Sequence, residues 1–161
     1  MPWNKPYRQP NNQRLDSEPY KQANRITFIT INAYLHHTPF VTSAMNEMIV
    51  DTIREEQERQ NCVVFTYCLM PDHLHYLSSP KQDGISVLTF TDQLKGKTTN
   101  RSWKYGWRGK LWQPRSYDHV VRENEDLRAI ANYILNNPVW KGLVERADDW
   151  RWGGHITPLP L

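Results

Sequence analysis

Two apolar runs separated by only two residues, Pro71 and Asp72, constrain this chain more than any other feature of it. Residues 62–70 (CVVFTYCLM) are continuously apolar and rich in Val, Phe and Tyr, the pattern of a buried strand. Residues 73–77 (HLHYL) form a second short run. A two-residue turn joins only antiparallel neighbours, so the two runs predict a β-hairpin. Cys62 and Cys68 lie inside the first run, six residues apart. That spacing suits neither a metal-type C-x-x-C pair nor a disulfide framework, and both read as small core residues.

The other elements follow from periodicity. Residues 25–35 (RITFITINAYL) are β-branched and aromatic and read as a strand. Met45, Met48, Ile49, Thr52 and Ile53 recur at helical spacing, with Thr42 or Ser43 as N-cap and an end near Gln60. A second helix starts near Ile85, carries Val87, Phe90, Thr91 and Leu94 on one side, and is expected to be interrupted or ended at Gly96. Residues 111–122 read as a fourth strand. Leu127, Ile130, Ala131, Ile134 and Leu135 define a last helix that starts near Asn124 and is stopped by Pro138. The order β-α-β-β-α-β-α contains the split β-α-β of ferredoxin-like folds, an α+β class with an antiparallel sheet and helices on one face. At 161 residues, against roughly 100 to 200 per domain, one domain is expected. Residues 25–152 would form it, after a basic Pro/Asn-rich arm at 1–24 and before a tail at 153–161 that follows a cap of Trp150 and Trp152.

No run of about 18 apolar residues exists and the N-terminus has no apolar signal-peptide core, so a cytosolic protein is expected. The net charge of +3 decides little, but its distribution does. Residues 95–122 hold eight basic side chains against one acidic: Lys95, Lys97, Arg101, Lys104, Arg108, Lys110, Arg115 and Arg122. Trp103, Tyr105, Trp107, Trp112 and Tyr117 are interleaved with them. Cations neutralise phosphates and flat rings stack on unpaired bases, so the mixture suits single-stranded or distorted nucleic acid. A solvated basic face over core tryptophans is the plainer alternative.

Two constellations carry chemistry. His73 and His75 stand at i and i+2, so on a strand both imidazoles project from one face, a two-point site for a divalent cation or simply a pair of half-exposed histidines at a strand start. On the last helix Tyr133 and Asn137 are one turn apart on a flank of the apolar stripe. That arrangement suits a phenol that attacks a phosphodiester beside a metal held in part by the amide. It equally suits a boundary tyrosine that anchors the helix, with Asn137 as a helix-end residue.

A resemblance weighs on this choice. Residues 70–77 (MPDHLHYL), 111–122 (LWQPRSYDHVVR), 133–139 (YILNNPV) and 142–144 (GLV), in that order, resemble the REP-associated tyrosine transposases of the single-tyrosine HUH transposase superfamily of bacterial insertion sequences. The resemblance runs from about Arg25 to Trp152. It implies a ferredoxin-like (palm or RNA-recognition-type) fold and a metal-dependent single-stranded DNA endonuclease and strand transferase. Such an enzyme acts beside small hairpins and joins the 5′ phosphate to a tyrosine while freeing a 3′ hydroxyl. By the same resemblance His73 and His75 are the metal pair, Asn137 the third ligand, Tyr133 the nucleophile and Mg²⁺ or Mn²⁺ the cofactor. The implied partner is stem-loop single-stranded DNA, with monomer and homodimer both open.

Two departures stand out: Asp72 replaces an Asn usual before the first histidine, and the Gly usual before the first strand is absent, since Ala23 and Asn24 precede Arg25. Tyr117 is the rival nucleophile, and His119 and Arg122 beside it suit phosphate contact or packing. Gly96-Lys97-Thr98 is not a phosphate loop, because position 91 is Thr where the first glycine belongs. The adjacent His36 and His37 point to opposite faces. The alternatives are a non-catalytic RNA-recognition-like module with Phe28, Phe65 and Tyr67 on its sheet face, and a phosphoesterase that uses water as nucleophile.

Overall fold

The structure is a computed structural model and describes Tyr7 and residues 17–161. Its order is β1 (Thr27–Asn32), α1 (Ser43–Arg59), β2 (Cys62–Met70), β3 (His73–Pro80), α2 (Val87–Ser102), β4 (Tyr117–Val120), α3 (Leu127–Leu135), α4 (Asn137–Trp140) and β5 (Gly153–His155). The strands form one antiparallel sheet in the order β4-β1-β3-β2-β5. The expected hairpin is its centre: Met70 pairs with His73 across Pro71 and Asp72.

Alternation along the strands sends side chains into two cores. Ile29, Ile31, Leu74 and Tyr76 face α1 and α2, where Met45, Ile49, Ile53, Val87, Phe90 and Leu94 meet them. Phe28 and Leu77 face the other way, onto Ile130, Ala131 and Ile134 of α3. In β2 the register shifts between Val64 and Tyr67, an extra residue that inverts the alternation. Val64 points to α1, and beyond the shift Cys68 and Met70 join Phe65 on the α3 side. The antiparallel α+β architecture therefore matches expectation, with one correction: α1 and α2 share one face, while α3 covers the opposite one.

Several boundaries also differ. α2 runs through Gly96, where an added Cβ would meet nothing within 4 Å, because neighbouring residues supply the packed side of the helix. Only Tyr117–Val120 of the expected fourth strand is regular; upstream, Trp112 makes a single bridge to Ala33 and its indole N–H donates to Thr98 Oγ1 at 2.8 Å. Asp126 caps α3 by accepting from the Ala129 amide, and Pro138 lies in the first turn of α4 instead of ending the helical path. The segment read as a tail begins with β5, which pairs with β2 from Thr66↔His155 to Cys68↔Gly153. Most of the expected arm lies outside the described residues; within its described part Tyr20 is buried and donates to Asp118 Oδ1 at 2.7 Å. Among the described residues no helix is long and apolar enough to cross a membrane.

Ile134 is fully buried between α3 and the sheet. Ile134→Ala is expected to lower unfolding free energy by about 2–5 kcal/mol in a denaturant titration; a loss below about 0.5 kcal/mol would contradict this packing.

Candidate active site

β3 opens with His73, so His73 and His75 project from the face that α3 covers. Each ring is fixed through Nδ1. His73 Nδ1 lies 2.6 Å from Asp72 Oδ1, and His75 Nδ1 lies 2.7 Å from the hydroxyl of Thr30, its partner across the β1–β3 ladder. A proton held on Nδ1 by these oxygens leaves each Nε2 with a free lone pair, the usual arrangement around a metal-binding histidine. The two Nε2 atoms are 3.1 Å apart. Burial lowers the pKa of His73, and that of His75 falls well below the usual imidazole value, first by burial and then by the neighbouring His73. Both rings are therefore neutral near pH 7.

The helical side of the site is built around Asn137. α3 ends at Leu135, and the Asn137 side-chain amide donates to the Tyr133 carbonyl at 2.9 Å, capping a carbonyl at the helix end. The same side chain lies close enough to both imidazoles to influence their protonation. One of its two amide N–H groups is used on Tyr133, and its oxygen, a lone-pair donor like the two Nε2 atoms, is the atom that can join them on a cation. Among the described residues no three His, Cys, Asp or Glu side chains cluster as a metal site. The set available is thus two imidazoles and an amide oxygen. Ligands at about 2.1 Å from one ion and at right angles to each other are about 3 Å apart, so the imidazole separation fits a shared divalent cation.

Tyr133 stands beside this set. Its ring centroid is 5.9 Å from that of His75, 6.1 Å from Phe28, 5.3 Å from Tyr7 and 5.5 Å from Trp140. Burial raises its pKa, so the phenol needs help to lose its proton. The rival Tyr117 faces the same side of the sheet, with Thr30 of β1 between it and His75 in the register. Its hydroxyl is buried with no hydrogen-bond partner among the described residues, and burial pushes its pKa up. His119 Nε2 lies 2.8 and 3.0 Å from the two Glu125 carboxylate oxygens, and Arg122 is exposed.

The eight cations are not equivalent. Lys97 pairs with buried Glu56, and Arg101 with Glu55 at 2.8 Å and Thr52 at 2.9 Å, so both tie α2 to α1 on the face away from the histidines. Lys95 donates to the Pro114 carbonyl, and Lys110 lies 5.3 Å over the Tyr34 ring. Lys104, Arg108, Lys110, Arg115 and Arg122 are exposed. The aromatics required by an RNA-recognition-like module are not open: Phe28 and Phe65 are buried under α3, and Tyr67 belongs to the other core. That alternative is corrected because α3 occupies the sheet face it needs. Sequence reasoning missed the orienting role of Thr30, which only strand register reveals, and the position of Trp140, which its spacing of seven residues from Tyr133 signals.

Residues 23–137 match the family described as "Transposase IS200 like", and the chain belongs to that family of transposases. Among its relatives, a Haemophilus influenzae protein provisionally named a REP-associated tyrosine transposase is 31% identical over 140 residues, covering 76% of this chain and 75% of the relative. The REP-associated tyrosine transposase of Escherichia coli K12 is 24% identical over 123 residues, covering 76% and 72%. The fold also matches the structure of a REP-associated tyrosine transposase bound to a REP hairpin, with a TM-score of 0.72 at 20% identity over 90% of this chain and 82% of that one.

The lowered histidine pKa values bear on stability. Unfolded histidines take up protons below about pH 6.5 while the folded, buried rings resist. Stability is therefore expected to be full above pH 6.5 and to fall as pH drops below it, measured by urea titration without added metal. His75→Gln is expected to flatten that fall, and an unchanged slope would contradict the burial argument.

Proposed function

We propose that this protein is a metal-dependent endonuclease and strand transferase acting on single-stranded DNA at stem-loops, with Tyr133 as nucleophile. The observation that carries the reading is the convergence of His73, His75 and Asn137 beside the Tyr133 ring. A divalent cation held there, Mg²⁺ or Mn²⁺, would polarise the scissile phosphodiester and offset its growing negative charge. Tyr133 Oη attacks phosphorus in line: the Oη–P bond forms, the P–O3′ bond breaks, the phenolic proton leaves to solvent and the 3′ oxygen takes up a proton. The 5′ phosphate stays on Tyr133, so the bond is kept for later transfer to another 3′ hydroxyl. Asn137 fixes the end of α3 through the Tyr133 carbonyl and so holds the phenol in register with the imidazoles. The two relatives named as REP-associated tyrosine transposases, and the like-folded one solved with a REP hairpin, support a palindromic repeat as target. Exposed Lys104, Arg108, Lys110, Arg115 and Arg122 supply cations for its phosphates.

The test is incubation with labelled stem-loops from the source genome in Mg²⁺ or Mn²⁺, followed by a denaturing gel. A protein-linked DNA band is expected from the wild type and from Tyr117→Phe. It should fall at least about 10³-fold in Tyr133→Phe and at least about 10²-fold in His73→Ala. Cleavage without a linked band, unchanged in Tyr133→Phe, would instead establish water as the nucleophile.

A further inference from the structure

Directly after the site residues the chain stays helically wound: the Trp140 amide donates to the Asn136 carbonyl and the Lys141 amide to that of Asn137, each at 3.0 Å. Trp140 therefore follows Tyr133 by two turns on the same side of the helical path. Its ring centroid lies 5.5 Å from that of Tyr133, tilted by 54°, yet the residue is 48% exposed. Leu143, a turn further on, is 45% exposed, and the Lys141 cation is near enough to His73 to oppose its protonation. A large ring left half in water gives up apolar burial that the fold elsewhere obtains for Trp112. Here it borders the nucleophile and has a cation as its sequence neighbour. An unpaired nucleotide offers the complement to both, a π-face for the indole and a phosphate for the ammonium.

We infer that Trp140 and Lys141 form a stacking subsite for an unpaired nucleobase next to the scissile phosphate. This subsite rests on the single-stranded DNA reading above and adds what holds the strand at the bond to be cut. In-line attack places the leaving O3′ on the far side of phosphorus from Tyr133. The stacked base accordingly belongs to the nucleotide that keeps the 5′ phosphate. Trp140 is here a binding residue that positions substrate, with Lys141 as its phosphate contact.

The experiment measures anisotropy of fluorescein-labelled stem-loops from the source genome, each with and without a short unpaired flank, in a Tyr133→Phe background that prevents cleavage. Trp140→Ala is expected to weaken binding of flanked stem-loops by roughly 5- to 150-fold and to leave flankless ones unchanged. Trp140→Phe should restore most of the loss. Lys141→Gln should weaken flanked binding and reduce its salt dependence. Equal losses on both DNAs, no loss on either, or a change only in the protein's oligomeric state would overturn the subsite. Adduct formation by the protein with intact Tyr133, alongside any of those results, would overturn the subsite alone. A flank-specific Trp140 effect without an adduct would overturn the covalent chemistry and leave the subsite standing.

Discussion

The hydrogen bond between Thr30 Oγ1 and His75 Nδ1 is the contact around which the site is organised. It exists because β1 and β3 pair with Thr30 opposite His75, and a slip of one residue would turn the imidazole toward α1 and α2. The register is itself fixed by two cores that claim alternate side chains, and by a hairpin turn that starts β3 at His73. A buried and a half-buried imidazole side by side are unfavourable unless their nitrogens are satisfied. Thr30 and Asp72 do this at Nδ1, which turns both Nε2 atoms toward one point.

The α3 side adds the other half by the same means. Ile130, Ala131 and Ile134 dock the helix on the sheet, which sets Tyr133 at the border of the core instead of inside it. The short α4 begins at Asn137, whose side chain donates to the Tyr133 carbonyl and lies beside the imidazoles. Packing and capping thus share residues with the proposed chemistry, and loss of α3 docking would displace Tyr133 and Asn137 together.

Much of this was legible in the chain. The Pro71-Asp72 turn and the strand and helix periodicities sufficed for the hairpin and for the elements, and they set His73 and His75 on one face of a strand and Tyr133 and Asn137 one helical turn apart; the roles given to these residues come from the family resemblance. What stayed hidden depends on contacts distant in sequence. The β2 register shift between Val64 and Tyr67, which puts Cys68 and Met70 on the α3 side with Phe65, leaves no mark in a run that is apolar on both sides. β5 is a Gly-Gly-His stretch with no strand signal of its own and exists because β2 offers an edge. The basic segment was overread for a like reason: Lys97 and Arg101 look free in sequence, but Glu55 and Glu56 of α1 lie across from them.

The central claim is that His73, His75 and Asn137 surround one divalent cation beside Tyr133. Pulsed electron paramagnetic resonance of the Mn²⁺-loaded protein tests it most directly, because imidazole nitrogens bound to Mn²⁺ give a countable coupling. One tightly bound ion with two such nitrogens is expected, falling to one in His73→Gln and in His75→Gln. A bound ion with no nitrogen coupling, or couplings that survive both substitutions, would contradict the account.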